Sequence, residues 1–304
     1  MSLGAAAIGL GLRAHSSSRT RRLVPAAAVF RLAEPYAARA RAAGGPRYER
    51  LRRFHERLLE HTALAGQEAE VAERGLAEMV RCLELFWRPW LSRRGAIAGL
   101  EHYSAARASG RGIVAAFTHY GMPYAQFPIL AEHGIDAWAM AGAVHFEEGL
   151  GDDYGGRFAR QGRVFVETLG PGRAIVARKG AFKPTLERVR DGAMVTIAFD
   201  LTGAMPTPFL GREVQLASGP SRLAVEGDAV VLPFVIRREG IRPVLHFAAP
   251  VDPREHPGQA SVQAAIAGVM ERWALDAPEA VWPLVHNGTP LIHGAALEDY
   301  GRAA

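Results

Sequence analysis

The amino-acid sequence predicts an α/β fold in which a mixed sheet is flanked by helices and preceded by an N-terminal helical extension. Two observations lead to this class. Before residue 95, apolar residues recur at helical spacing, and after Gly110 short runs rich in β-branched residues alternate with helical segments. Such alternation is typical of a largely parallel sheet covered by helices. We therefore expect a helical segment over residues 1–95 and an α/β domain over residues 96–304.

Periodicity and turn residues predict the individual elements. Two N-terminal helices have their apolar residues on one face, Arg47–Ala63 and Glu68–Leu91. Six apolar runs are predicted strands: Ile113–Phe117, Ile135–Met140, Arg163–Val166, Met194–Phe199, Val230–Val235 and Val244–Phe247. Later helices are predicted at Ala181–Arg190, Ser218–Gly227 and Ser261–Leu275, and Gly/Pro-rich loops at Gly170–Gly172 and Gly203–Pro208.

Composition narrows the compartment and the partners. The 304 residues include a single cysteine, Cys82, so no internal disulfide can form and the cytoplasm is the expected location. The longest apolar stretches are interrupted by arginine before the about 20 residues that a membrane-spanning helix needs. The net charge of +5 favours an anionic partner. Mixed basic and apolar residues over 19–41 fit either peripheral contact with the inner face of a membrane or an ordinary packed helical extension.

Several function classes are disfavoured by missing motifs. No G-x-G-x-x-G fingerprint follows a predicted strand, which argues against a dinucleotide-dependent enzyme, and we find no nucleic-acid-binding module. His145, Glu147 and Glu148 are metal-capable but lack a third partner at ligand spacing, so we predict no metal site.

His119 is the strongest candidate for a catalytic side chain. It follows the buried-looking run Ile113–Phe117 directly, and reactive groups of open α/β sheets usually lie where the carboxyl ends of strands meet the loops. A lone histidine after a strand is more often a packed or surface residue than a catalyst. Its assignment therefore depends on the sequence around it.

Four segments supply that context. They are Gly99–Ala125 (GLEHYSAARASGRGIVAAFTHYGMPYA), Arg157–Gly162, Leu186–Gly203 (LERVRDGAMVTIAFDLTG) and Phe209–Phe234 (FLGREVQLASGPSRLAVEGDAVVLPF). In order, spacing and residue types they resemble the bacterial lipid A biosynthesis acyltransferases and the related phosphatidylinositol mannoside acyltransferases. The resemblance covers roughly residues 95–285 and implies the glycerolipid-acyltransferase-like sheet of the lysophospholipid acyltransferase-like superfamily.

The resemblance implies transfer of an acyl group from a thioester, on acyl carrier protein or coenzyme A, to a hydroxyl of a lipid or glycolipid. The thioester is a co-substrate, and no cofactor is expected. His119 would be the general base, because a hydroxyl with a pKa far above neutrality needs one as it attacks the carbonyl. The resemblance also places Arg157 or Arg160 near the developing oxyanion or a substrate phosphate, although either can be a surface residue. Backbone amides around Gly121 are further candidate donors.

One position departs from the family pattern. The family carries an acid five residues after the histidine, in an H-x4-D/E motif, and Tyr124 stands there in this sequence. Three hypotheses stay open. Asp200 can pair with His119 in place of that acid, or the Tyr124 hydroxyl or a backbone carbonyl can orient the ring of His119. Alternatively, the protein has lost acyl transfer and keeps a lipid-binding role. Asp200 can equally be a loop cap before Gly203.

A second enzymatic function remains open, namely acyl or aminoacyl transfer to a small amine or hydroxyl acceptor in specialised biosynthesis. An amine is more nucleophilic and would need less help from a histidine–acid pair. Near the C terminus, Trp282 and His286 match only loosely the Trp-x-His-Arg-Arg run of lipid A enzymes, and Asn287 and Gly288 replace its arginines. This departure argues against recognition of a phosphorylated disaccharide.

Overall fold

The computed structural model describes residues 23–122, 124–152 and 154–282. Its first part is helical, as predicted, with α1 (Ala26–Ala42), α2 (Pro46–Leu59), α3 (Glu68–Phe86) and the one-turn α4 (Pro89–Ser92). The predicted second helix is divided, because Pro89 opens α4 where its missing N–H carries no penalty.

The central part of the chain alternates strands and helices. Its elements are β1 (Ala96–Ala98), α5 (Leu100–Ala108), β2 (Ile113–Gly121), α6 (Gln126–Glu132), β3 (Trp138–Gly142), α7 (Tyr154–Glu167), β4 (Ala174–Ala177), α8 (Phe182–Arg190) and β5 (Met194–Ala198). The last part contains β6 (Thr202–Phe209), β7 (Arg212–Leu216), α9 (Gly219–Gly227), β8 (Val230–Val231), β9 (Phe234–Glu239), β10 (Arg242–Phe247) and α10 (Gln259–Asp276).

A mixed sheet organises the described residues. Its strands follow the order β1-β10-β9-β2-β5-β3-β4, with β8 beside β2, and all neighbours pair in parallel except β9 and β10. The predicted fold class, a mixed and largely parallel sheet flanked by helices, is confirmed. β2 and β5 lie inside the sheet, which explains why their runs are apolar without alternation.

Two of the predicted elements are wrong. Arg163–Val166 is not a strand but the last turn of α7, where Phe165 and Val166 are buried. A run of only four residues is too short to distinguish a strand from a buried helical turn, and the helix around it determines its structure. Gly203–Pro208 is not a loop but most of β6, which forms a two-stranded ribbon with β7. Prolines are tolerated there because each strand of a ribbon has one edge that needs no N–H donor.

The helices before residue 95 share the hydrophobic core of the sheet. Leu51 of α2 and Leu76 of α3 belong to the same buried cluster as Val114 of β2 and Val195 of β5. The opposite face of the sheet packs against α6 and α7 in a second cluster. The predicted division into two domains at residue 95 stays a prediction. Over the described ranges, no helix combines the length and apolar character needed to cross a membrane.

Candidate active site

His119 lies near the end of β2, at the carboxyl edge of the sheet. Phe117 is opposite Ala198 of β5, and two more residues in this parallel register bring His119 opposite Asp200. β2 is irregular between Phe117 and Gly121, around the histidine. The His119 side chain is 15% exposed and that of Asp200 is 10% exposed, so the pair is largely buried but keeps access to solvent.

Asp200 accepts two hydrogen bonds from His119. Its Oδ1 lies 2.8 Å from Nδ1 of the ring, and its Oδ2 lies 2.8 Å from the backbone nitrogen. An ionised carboxylate only accepts hydrogen bonds, so Nδ1 carries the proton and Nε2 of the neutral ring keeps its lone pair. The backbone contact also holds the carboxylate in place. Asp200 thereby fixes both the tautomer and the orientation of the imidazole.

These contacts bear on the first of the three hypotheses about the missing motif acid. The proposed contact between Asp200 and His119 is present, and it follows from the sheet order, because β2 and β5 are adjacent strands about 4.8 Å apart. A buried carboxylate without partners would be destabilising by several kcal/mol. The two hydrogen bonds from His119 offset that penalty, so Asp200 is more than a cap of the loop before Gly203.

The end of the described chain runs beside the histidine. The carbonyl of His119 accepts a hydrogen bond from the backbone N–H of Trp282, with an N···O distance of 3.0 Å, and Tyr120 pairs with Val281. On the other side, the ring of Phe117 lies 5.7 Å from the imidazole, centroid to centroid. His286, Asn287 and Gly288 lie outside the described residues.

Gly121 ends β2 in a conformation that only glycine adopts easily. Its φ is +62°, and a Cβ placed on it would lie 1.9 Å from the carbonyl oxygen of Ile236 in β9. The residue therefore lets β9 approach the end of β2 closely, two residues from His119. A role of its backbone amide in binding substrate stays a prediction.

Tyr124, at the position of the motif acid, contacts a different histidine. Its hydroxyl lies 2.8 Å from Nε2 of His145, while Nδ1 of His145 lies 3.0 Å from the carbonyl oxygen of Ala159. A carbonyl only accepts, so Nδ1 of His145 is protonated and Nε2 accepts the hydrogen bond that Tyr124 donates. The hypothesis that the Tyr124 hydroxyl orients His119 is therefore wrong.

The Tyr124–His145 pair is enclosed by aromatic side chains. The Tyr124 ring lies 5.8 Å from that of Phe86 and 6.3 Å from that of Phe158. Burial raises the pKa of the Tyr124 hydroxyl well above its usual range, which keeps it a neutral donor. The φ of Tyr124 is +77°, a conformation that a bulky residue adopts only when its surroundings hold it. We interpret the pair as a structural lock on the loop after β2.

The two candidate arginines both hold the segment that precedes α7. Arg160 donates to the carbonyl oxygens of Leu150 and Gly151 at 2.7 and 2.9 Å, and it pairs with Asp152 at 2.8 Å. Arg157 donates to the carbonyl of Asp152. These bonds give both residues a role in ordering the loop, and their predicted contact with substrate stays untested. The described residues contain no group of three potential metal-ligating side chains.

Part of the chain matches a known protein family. Residues 164–287 match the model of the family described as bacterial lipid A biosynthesis acyltransferase. The expected resemblance is confirmed. The expectation of an acyltransferase is confirmed with it. The matched segment contains Asp200 and begins after His119. No curated protein matches the chain.

Among solved structures, a bacterial acyltransferase is similar to this chain. The 1-acyl-sn-glycerophosphate (LPA) acyltransferase PlsC from Thermotoga maritima is 16% identical, with a TM-score of 0.42 over 70% of this chain and 83% of that chain.

The pairing of His145 with Tyr124 was not predictable from the sequence. The two residues are 21 positions apart and lie on different elements, so no local spacing connects them. The only available signal was Gly162 of α7, where a Cβ would lie 2.6 Å from the ring of His145. Gly162 directly precedes the predicted strand Arg163–Val166, and an isolated glycine beside a regular element is a signal for the close approach of another group.

Proposed function

We propose that the protein transfers an acyl group from a thioester to a hydroxyl of a lipid, with His119 as the general base and Asp200 as the residue that positions it. The observation that carries the proposal is the 2.8 Å contact between Nδ1 of His119 and Oδ1 of Asp200. It leaves Nε2 as the basic atom of a ring whose orientation is fixed. A family of acyltransferases matches the segment that contains Asp200, which supports the reaction class.

The chemistry needs each part of this pair. As the acceptor hydroxyl attacks the thioester carbonyl, Nε2 removes its proton, and the imidazolium that forms is stabilised by the adjacent carboxylate. When the tetrahedral intermediate collapses, the carbon–sulfur bond breaks and the thiolate takes a proton, which the imidazolium can return. Asp200 accepts hydrogen bonds throughout and need not be protonated itself.

A lipid acceptor requires the protein to bind at a membrane surface, and the N-terminal helices expose apolar side chains that support such binding. Leu23, Leu32 and Trp90 are 83%, 62% and 54% exposed. Arg88 contacts the segments that carry Leu23 and Trp90. Its guanidinium lies 5.9 Å from the Trp90 ring and donates a hydrogen bond to the carbonyl of Val24. Exposed apolar side chains among arginines are typical of helices that lie in the headgroup region, and they support peripheral binding.

The test is acyl transfer or hydrolysis with purified protein and acyl carrier protein loaded with acyl groups of several lengths, followed by mass spectrometry. His119→Ala should lower the rate about 10²- to 10⁴-fold, which is the usual contribution of a general base. Asp200→Asn should lower it at least about tenfold, equivalent to ~1.4 kcal/mol. His102→Ala, a change of a histidine on α5, serves as the matched control and should leave the rate unchanged.

Equal rates for the wild-type protein and His119→Ala would refute catalysis by this residue and favour a lipid-binding protein on the same scaffold. The same assay with small amines in place of a lipid acceptor distinguishes the second enzymatic hypothesis. That hypothesis drew on the absence of an acid partner, and Asp200 now fills this place. We therefore expect hydroxyl acceptors to be used in preference to amines.

A further inference from the structure

An exposed row of cations follows the edge strand β4. We define the basic rim as Arg178, Lys179, Lys183 and Arg188, which lie in the turn after β4 and on α8, all of them exposed. Residues 173–190 contain six arginines and lysines but one acid, Glu187. These 18 residues therefore carry a net charge of +5, as much as the whole chain of 304 residues.

The charge of the basic rim is not compensated. Elsewhere arginines pair with carboxylates, as Arg81 does with Glu34 at 2.6 Å and Arg238 with Glu78 at 2.5 Å. Over the ranges that the structure describes, no carboxylate forms an ion pair with a residue of the rim. Arg188 is instead held over the ring of Trp138, with 4.4 Å between the guanidinium carbon and the ring centroid. An uncompensated and partly ordered cationic surface projects a field that attracts acidic partners.

Strand register places this surface on the same row as the candidate active site. β5 pairs with β3 and β3 with β4, all in parallel, with Ala139 opposite both Thr196 and Ala174. Continued to the ends of the strands, these registers put Arg178 level with Asp200. Two strand spacings separate β5 from β4, and a third leads to β2, so the rim lies about 14 Å from His119 along the carboxyl edge.

An apolar trough lies between the basic rim and the strand that leads to Asp200. It is a cavity of about 350 Å³, and its lining includes Met140 of β3, Ala177 at the end of β4, Phe182 of α8 and Ile197 of β5. Arg178 stands at its border. An apolar floor with a cationic border is the usual composition of a protein interface, where packing occurs at the centre and charges orient the partner at the margin.

We propose that the basic rim is the docking surface for an acidic acyl carrier protein, which presents its thioester to His119 on a flexible pantetheine arm. This inference rests on the proposed function and names its donor. The separation of about 14 Å requires a donor whose reactive group extends well away from its folded body. A membrane is disfavoured as the occupant, because the large exposed apolar side chains of the described residues do not include any from 173–190.

The kinetic test uses one thioester on two carriers. Lys179→Glu/Lys183→Glu should raise the KM for acyl groups on acyl carrier protein about tenfold, leave kcat unchanged, and leave the KM for the uncharged N-acetylcysteamine thioester unchanged. Arg53→Glu/Arg272→Glu makes the same charge change at exposed positions of α2 and α10 and should alter neither KM. Circular dichroism of both double variants checks that they are folded.

A binding test is independent of turnover. Lys179 and Lys183 are the only lysines of the sequence, so carbodiimide coupling to carboxylates of acyl carrier protein can use only these two side-chain amines. We expect cross-linked peptides at these positions with the non-acylated carrier, and their loss in Lys179→Arg/Lys183→Arg, which keeps the charge but removes the reactive amine.

The outcomes separate the two proposals. If the protein transfers the acyl group from the N-acetylcysteamine thioester but its KM for acyl groups on acyl carrier protein does not respond to charge reversal, only the docking surface is overturned. No transfer from either donor overturns the proposed function, while cross-linking still reports on docking. Charge reversal that abolishes sedimentation with phosphatidylglycerol vesicles but leaves the carrier KM unchanged would assign the rim to a membrane and overturn the proposal.

Discussion

Replacing Gly121 with alanine tests whether the close approach of β9 holds the end of β2, and His119 with it, in place. The new Cβ would lie 1.9 Å from the carbonyl oxygen of Ile236, far inside van der Waals contact. Both partners of the clash lie on paired strands, so the backbone itself must move. Overpacking of this kind destabilises by about 1–3 kcal/mol, and alanine at φ +62° adds roughly 1 kcal/mol.

Gly134→Ala is the matched control. Gly134 has nearly the same φ, +66°, but a Cβ there would meet no atom within 4 Å. It should therefore show only the conformational penalty of roughly 1 kcal/mol. The difference between the two variants, about 2 kcal/mol, isolates the contact with β9.

Thermal unfolding measures this difference. At about 2.1 cal/mol/K of unfolding entropy per residue, 1 kcal/mol shifts the Tm of a 304-residue chain by roughly 1.6 °C, so the Tm of Gly121→Ala should lie about 3 °C below that of Gly134→Ala. Because the displaced backbone is two residues from His119, acyl transfer at 20 °C should also fall in Gly121→Ala and not in the control. Equal Tm values would show that the strands adjust freely and would refute the reasoning.

Three further changes test residues around the site. Tyr124→Phe removes the donor to Nε2 of buried His145 and should lower the free energy of unfolding by about 1–3 kcal/mol, with kcat unchanged. A loss of kcat without a loss of stability would contradict the interpretation of the Tyr124–His145 pair as a structural lock. Burial lowers the pKa of His55 from 6.5 to about 4, so the unfolded chain binds a proton that the folded chain excludes. The free energy of unfolding should therefore fall as the pH drops below 6.5, by about 1 kcal/mol at pH 5.5. In urea titrations His55→Leu should flatten this pH dependence, and an unchanged dependence would assign it to another group. Arg160→Ala should speed proteolysis of the preceding loop. Arg163→Ala loses a surface pair with Glu167 and a contact with the Phe146 ring but no hydrogen bond to that loop, so it should not.

Periodicity predicted the helices and the central strands because their apolar residues lie on faces that the fold buries. It failed where a segment was too short to show a period. Arg163–Val166 has the composition of a strand, but the helix around it continues through it. Gly203–Pro208 has the composition of a loop, yet it pairs as β6, since a ribbon outside the main sheet accepts its prolines. In both cases the decision came from neighbours distant in sequence.

The histidine–acid pair shows which part of a site can be predicted from the order of strands. A parallel sheet brings equivalent positions of adjacent strands into register, so an acid after β5 reaches a histidine after β2 although 81 residues separate them. Position in the sheet therefore predicted Asp200 as a candidate partner. The fate of Tyr124 was not predictable in the same way, because its hydrogen bond depends on a side chain that no strand register relates to it.

The two pairs together explain how the chain can do without the motif acid. With Asp200 bound to both the ring and the backbone of His119, an acid at position 124 that reached this ring would meet an Nδ1 that is already occupied. Two carboxylates in one largely buried site repel each other, and one of them would tend to become protonated. A tyrosine at this position avoids that repulsion, and its hydrogen bond to His145 uses the freed position to hold the loop after β2. Tyr124→Glu should therefore fail to increase acyl transfer while Asp200 is present, and it should restore part of the rate in Asp200→Asn only if its carboxylate can leave the aromatic enclosure and reach His119.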